Sequence, residues 1–147
     1  YSLHNTGEKR IITDEYVHNF MAINNTLIDK DYELKFPFSI NPSLFDETVN
    51  SEKKVEIGLD NITFNKTPKK QFFFSNLTGG KELQAEWMLT NLKANVGIKE
   101  IGNFKTDKIN VWGWKHVISP ELFFKISIDP KKTIEWSRKF EVFKINP

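Results

Sequence analysis

Cysteine is missing from this 147-residue sequence, and alanine, arginine and long apolar runs are scarce. Without cysteine the chain forms neither a disulfide nor a thiolate metal site, which excludes zinc fingers, iron–sulfur ligation and cysteine nucleophiles. No apolar run approaches the ~20 residues that a membrane-spanning helix needs, so we expect no membrane span. The start of the sequence has neither an initiating Met nor a signal-peptide pattern, which is typical of a processed or trimmed chain.

Acidic and basic residues nearly balance, with 19 Asp and Glu against 21 Lys and Arg and a net charge of +2. Only Arg10 and Arg138 are arginines, and every other basic residue is lysine. Proteins that read nucleic acids depend on arginine for bidentate contacts to bases and phosphates. The lysines are also interleaved with acids instead of forming a basic patch. We therefore expect a solvated charged surface and no nucleic-acid partner.

Aromatic residues are abundant (13 Phe, four Trp and three Tyr), and the three alanines are few for a helical protein. Aromatic and β-branched residues favour sheets. The stretch Tyr32–Ile40 alternates apolar and polar residues along its whole length, with Pro37 on the polar phase. This pattern predicts a strand with one buried face. We predict a single β-rich domain over residues 1–147, an antiparallel β-sandwich such as a jelly roll, with one or two short helices.

Further strands are predicted from alternating apolar residues and from the turn residues between them. Asp60-Asn61 interrupts one alternating segment and predicts a bulge or tight turn. Thr78–Lys81 and Asp129–Lys132 predict turns, and Phe72–Phe74 a strand buried on both faces. In the last segment Arg138 interrupts an otherwise apolar phase. The remaining predicted strands cover residues 10–13, 98–104, 108–118, 123–129 and 133–145.

Three segments allow alternatives. Residues 81–97 alternate as a strand does, but they also show a longer helical stripe, and a helix there would make the domain α+β. Val17, Phe20 and Met21 share a helical face behind Asp14, which predicts a helical turn. Residues 1–12 are predicted to form an extended N-terminal arm, which could add a strand to a neighbouring molecule.

The sequence contains no nucleophile elbow, no phosphate-binding loop and no dinucleotide fingerprint. Its histidines, His4, His18 and His116, lie in separate regions, and Asp14 with His18 has no identifiable third ligand. Serines have no evident His–Asp partners. We therefore expect no catalytic residues, no metal site and no cofactor.

Trp112, Trp114 and His116 are the candidate binding residues, since on a strand both indoles point to the same face. Two such indoles could stack on sugar rings or anchor a protein partner. In a domain with four tryptophans, however, core packing is the favoured interpretation for both.

Four asparagines begin N-glycosylation sequons, which would carry surface glycans if the protein is secreted by a eukaryote or its virus: Asn24, Asn61, Asn65 and Asn76. Our leading expectation is a non-catalytic structural module, extracellular or surface-displayed, that acts through a protein partner or self-assembly. The alternative is a β-sandwich that binds a carbohydrate or another ligand through exposed tryptophans.

Overall fold

A computed structural model describes residues 1–145 of the chain. Strands dominate the described part, and its helical structure is a 3-10 turn at Pro42–Leu44 capped by Asn41. The strands are β1 (Ser2–His4), β2 (Ile11–Glu15), β3 (Tyr32–Lys35), β4 (Thr48–Val49), β5 (Val55–Ile57), β6 (Asn61–Phe64), β7 (Phe72–Phe74), β8 (Leu83–Asn91), β9 (Val96–Thr106), β10 (Ile109–Trp114), β11 (Val117–Leu122), β12 (Phe124–Ile128), β13 (Thr133–Glu135) and β14 (Arg138–Lys144).

Two main sheets form the layers of the domain. One has the order β14-β9-β8-β3-β6-β5, and the other has the order β11-β10-β7-β4. Two-stranded sheets β1-β13 and β2-β12 complete the fold, and these pairings are antiparallel. Side chains from both main sheets share one core, represented by Leu34, Trp87, Phe72, Val111 and Ile118. The predicted mainly β fold and its antiparallel sandwich are therefore confirmed.

The helix considered for residues 81–97 is wrong, because β8 and β9 form a long hairpin there. Ala85, Trp87 and Leu89 are buried at alternate positions of β8, as the strand pattern requires. Leu92, which extended the helical stripe, is 62% exposed in the turn. Gly97, which resembled a helix end, lies inside β9, where the ring of Phe143 occupies the space of a side chain.

The helical turn predicted behind Asp14 is also wrong. Ile11–Glu15 forms β2, which pairs with β12, and the chain continues extended until Met21 bridges Ile118 at the edge of β11. Pairing with distant strands satisfies the backbone here, whereas the helical prediction considered only local spacing.

The strand predicted over Tyr32–Ile40 pairs as a ladder only to Lys35. Alternate burial continues beyond it, and Phe36 and Ile40 are 2% and 6% exposed. Pro37 lacks the N–H that a ladder requires, which explains why pairing ends before the apolar alternation does.

Two predicted strands are each divided in the structure. A turn at Lys115-His116 separates β10 from β11, and Trp136-Ser137 separates β13 from β14. The turns at 58–61, 78–81 and 129–132 occur where the sequence predicts them. Phe72 and Phe74 are buried, whereas Phe73 is only half-buried, so β7 has one fully buried face.

Residues 1–12 lie against the body of the same chain. Ser2–His4 pairs with Thr133–Glu135, and the ring of Tyr1 stacks on Trp136 with centroids 5.4 Å apart. The terminal amine of Tyr1 donates a hydrogen bond to the Trp136 carbonyl at 2.9 Å. The strand that could have joined a neighbour is therefore already paired within the chain.

Candidate functional site

The hairpin of β10 and β11 places Trp112 and Trp114 on the side of their sheet that faces away from the core. Val111 and Gly113 alternate with them and are buried, while both tryptophans are half-buried. The expectation that these two tryptophans fill the core is wrong, because Trp87 and Trp136 are the buried ones. We call the surface formed by Trp112, Trp114, His18 and Phe20 the aromatic face.

Trp114 is held in place by three neighbours. Its indole nitrogen donates a hydrogen bond to the Lys69 carbonyl at 2.9 Å. The Lys115 ammonium lies 4.9 Å from the ring centre, within the range of a cation–π contact. His116 is exposed in the hairpin turn and meets Trp114 edge to face at 6.0 Å. These contacts fix one end of the aromatic face.

Glu52 anchors the loop that supplies the Lys69 carbonyl. Its carboxylate accepts hydrogen bonds from the backbone N–H groups of Lys69 and Lys70 at 2.6 and 2.8 Å, and from Lys54 Nζ at 2.8 Å. These bonds favour the ionised form, with the Lys54 bond contributing most, and lower the pKa of Glu52 to about 2. The ionised carboxylate thereby stabilises the loop behind Trp114.

Trp112 lies beside residues from the extended segment that follows β2. Its ring centre is 5.2 Å from that of His18 and 5.7 Å from that of Phe20. Tyr16, two residues before His18, stacks on Phe123 at 4.6 Å. The side chains of this segment therefore alternate, and every second one lies along β11 and β10.

His18 is fixed by two polar side chains from β11. Its Nδ1 makes a hydrogen bond with Glu121, whose side chain is only 6% exposed, and lies 3.2 Å from the hydroxyl of Ser119. Because a carboxylate only accepts hydrogen bonds, Nδ1 is the donor in this contact. The other ring nitrogen, Nε2, is left to hydrogen-bond with a ligand, as an acceptor in the neutral imidazole or as a donor in the imidazolium.

This arrangement differs from a serine hydrolase triad. In a triad the serine and the carboxylate contact opposite nitrogens of the histidine, so that one nitrogen removes the serine proton. Here Ser119 and Glu121 both contact Nδ1 of His18. The geometry orients the imidazole but does not activate Ser119 as a nucleophile.

Sequence reasoning identified Trp112, Trp114 and His116 but missed His18, Phe20 and their partners on β11. The signal was present as the alternation of Tyr16, His18 and Phe20, which the helical interpretation hid. Nothing in the sequence pairs His18 with Glu121, because the two are 103 residues apart.

A second polar cluster, the charged network, lies inside the domain. Arg138, with a side chain 2% exposed, donates to Glu100 at 2.9 Å, to Glu15 at 2.7 Å and to the Leu122 carbonyl at 2.9 Å. Trp87 donates to Glu100 at 2.8 Å. Burial raises the pKa of Glu100, and the hydrogen bond from Arg138 opposes that rise. This network explains why Arg138 interrupts the apolar phase of the last strands.

The four sequon asparagines have different surroundings. Asn24 and Asn65 are exposed, and Asn24 has a positive φ of 52° in a turn. Asn61 and Asn76 are half-buried, and their amides donate to Glu33 and Asp46. The amide of Asn65 also donates, to the Lys53 carbonyl and to Glu56, so Asn24 offers the most accessible side-chain amide of the four.

Within residues 1–145, no three His, Asp or Glu side chains come together as ligands for a metal ion. The same part of the chain contains no helix with the length and apolar content of a membrane span.

The chain matches no known family and no curated protein by sequence. It is similar in fold to the crystal structure of the Slr1438 protein from Synechocystis sp. PCC 6803, with a TM-score of 0.61 and 11% sequence identity. The similarity covers 97% of this chain and 49% of that one, so the chain spans about half the length of Slr1438. At this identity the comparison supports the β fold alone.

Proposed function

We propose that this chain is a non-catalytic binding module that takes a carbohydrate on its aromatic face. The observation that carries the proposal is the position of Trp112 and Trp114 on one side of β10, outside the core and supported by their neighbours. This arrangement favours the ligand-binding alternative over the core-packing interpretation.

The chemistry of the aromatic face suits a sugar. An indole ring offers a flat apolar surface to the C–H groups on one side of a pyranose, while the sugar hydroxyls need hydrogen-bonding groups beside the ring. Nε2 of His18 and the ammonium of Lys115 lie next to the two indoles and can serve those hydroxyls. A ring fixed before binding also loses little side-chain entropy when it binds.

A carbohydrate-binding module of this kind would act outside the cell or on a surface, and that localisation belongs to the proposal. The assembly hypothesis through the N-terminal arm has less support, because β1 is already paired with β13 in the same chain.

The test uses two soluble probes, cellohexaose and chitohexaose, titrated into the protein while tryptophan fluorescence and binding heat are measured. We expect one of them to bind, and Trp112→Ala or Trp114→Ala to weaken that binding about tenfold, because a ring contact of about 1–1.5 kcal/mol corresponds to that factor. Leu59→Ala is the control, since Leu59 is 74% exposed in the bend between β5 and β6, which belong to the other main sheet.

Two outcomes would refute the proposal. In one, neither probe changes the fluorescence or releases heat. In the other, a probe binds but both tryptophan variants bind it as the wild type does, which would place the sugar site elsewhere. Acrylamide quenching of the unliganded protein provides a further check, because the proposal requires part of the tryptophan emission to be accessible.

A further inference from the structure

Among residues 1–145, strand β14 forms a free edge of the six-stranded sheet, since β9 is its partner on one side and the sheet order ends with it on the other. At seven residues it is the longest edge strand in the described part of the chain. An unpaired edge presents a row of backbone donors and acceptors to any strand that approaches it.

The backbone groups that face outward can be assigned from the pairing with β9. The Ser137 carbonyl accepts from Asn103 N–H, and Ile145 N–H donates to the Asn95 carbonyl, so odd-numbered residues face β9. Because the direction alternates along an antiparallel strand, the N–H and C=O groups of Arg138, Phe140 and Val142 point away from the sheet.

Alternate side chains of this edge lie on opposite faces of the sheet. One face carries Phe140 and Val142 between the charged residues Arg138 and Lys144, and the other carries Lys139, Glu141 and Phe143. Phe140 is 43% exposed and Val142 is 73% exposed, on the side that carries the core further inside the sheet. Lys139 and Glu141 lie on the opposite face, where they form an ion pair of 2.6 Å within the strand. Apolar exposure on a free edge is a feature of association surfaces.

We propose that this edge pairs with the same edge of a second copy, antiparallel and centred on Phe140. In that register Phe140 lies opposite its own counterpart, and Lys139 of each copy lies opposite Glu141 of the other. Arg138 of each copy lies opposite Val142 of the other, and the outward backbone groups of these three residues bond across the junction. The six-stranded sheet then continues from one copy into the next.

The charges on β14 favour this register over the two registers in which the axis is shifted by one residue. A two-fold axis at Glu141 would place Glu141 opposite Glu141 and Arg138 opposite Lys144, and an axis at Lys139 would place lysine opposite lysine. Like charges directly opposite each other destabilise a strand pair, whereas opposite charges stabilise it. The self-complementary order Lys139-Phe140-Glu141 therefore identifies a second copy of this chain as the partner.

The first test measures mass in solution by sedimentation and light scattering over a range of protein concentrations. We expect a dimer for the wild type and for the charge swap Lys139→Glu with Glu141→Lys, and monomers for each single reversal. Lys30→Glu, an exposed reversal in a loop, is the control and should remain dimeric. Circular dichroism of each variant confirms that the fold is retained.

The second test uses the absence of cysteine, since a single introduced cysteine has no other thiol in the chain to react with. Opposing residues of a hydrogen-bonded antiparallel pair lie about 5.5 Å apart at Cα, within the disulfide range of about 4.4–6.8 Å. Phe140→Cys should therefore cross-link two copies under mild oxidation. Val142→Cys should cross-link far less, because its counterpart is not opposite it.

A wild type that remains monomeric at every concentration would overturn the proposal. So would single reversals that leave the dimer intact, or a charge swap that fails to restore a dimer lost in both singles. None of these results depends on the aromatic face, which lies on the other main sheet, so this inference and the proposed sugar binding fail or succeed separately.

Discussion

The charged network makes the stability of this domain depend on one buried guanidinium. We predict that Arg138→Met, which keeps the aliphatic stem but removes the charge, destabilises the protein severely. The variant leaves Glu100, only 1% exposed, without its cationic partner, while the bond from Trp87 remains. Breaking a buried ion pair in this way costs about 3–5 kcal/mol, a large share of the about 5–15 kcal/mol that stabilises a typical domain.

The assay is urea unfolding followed by circular dichroism, together with thermal melting. At about 2–4 °C per kcal/mol for a domain of this size, the melting temperature should fall by about 6–20 °C. Lys144→Met removes a positive charge from an exposed position of the same strand, so it should change stability by less than about 0.5 kcal/mol. Adding Glu100→Gln to Arg138→Met should recover part of the loss, because the neutral amide needs no counter-charge.

The pH dependence gives an independent test of the same reasoning. Burial raises the pKa of Glu100, and removal of Arg138 should raise it further. For a carboxyl group with a raised folded-state pKa, stability is highest below the unfolded-state pKa and falls as pH rises through the folded-state pKa. The free energy of unfolding that Arg138→Met loses should therefore be smaller in acid than at neutral pH. An equal loss at the two pH values, or a loss below about 1 kcal/mol at neutral pH, would refute the reasoning.

Two further predictions concern the support of the aromatic face. Glu52→Gln should speed hydrogen exchange of the 65–70 loop amides and increase acrylamide quenching of Trp114 at neutral pH, because the neutral amide is a weaker acceptor than the carboxylate. In the wild type, the stabilisation of the 65–70 loop by ionised Glu52 should be complete above the ordinary pKa range of glutamate. It should disappear as the pH falls towards about 2. Gly113→Ala should lower the free energy of unfolding by about 1–3 kcal/mol in urea titrations, because overpacking a core costs that much and the new Cβ would lie 2.2 Å from the ring of Phe72.

Each of these variants has a matched control. Glu47→Gln changes an exposed glutamate outside the loop and should leave amide exchange at 65–70 unchanged. Gly7→Ala adds a methyl group 3.3 Å from Asn5 Oδ1, a less severe contact than the 2.2 Å at Gly113, so it should cost less stability than Gly113→Ala. Faster loop exchange in Glu47→Gln, or equal losses in the two glycine variants, would contradict the proposed contacts.

The long apolar alternation of Tyr32–Ile40 predicts alternate burial correctly, although strand pairing there ends at Lys35. The strand predicted over residues 98–104 lies inside β9. Prediction from the sequence fails where pairing partners decide the structure. The alternation of residues 83–89 competes with a helical stripe, and the pairing of β8 with β3 and β9, which buries Ala85, Trp87 and Leu89, selects the strand. Residues 16–20 lie along β11 and β10, and the alternation of Tyr16, His18 and Phe20 does not show which strands they will contact.

The residues of the candidate site that lie on one strand could be predicted from the sequence, but their partners on other strands could not. Two tryptophans separated by one residue indicate a shared face, but whether that face is inside or outside depends on which side of β10 the other sheet covers. Arg138 interrupts the apolar phase because two glutamates from distant strands neutralise it, and sequence alone could not locate them. Local pattern thus identified the residues on one strand, and tertiary pairing supplied the rest.

The pairing of β1 with β13 has a consequence for the order of folding. Tyr1 and Trp136 are 135 residues apart, and β2 finds its partner β12 at a similar distance along the chain. Closing such long loops is entropically costly, and all-β topologies with distant contacts fold in about milliseconds to seconds. The β8–β9 hairpin can form early from neighbouring residues, whereas β1 and β2 cannot pair until their partners β13 and β12 have been synthesised. Until β12 and β13 have been synthesised, the apolar side chains that they cover remain accessible to other molecules.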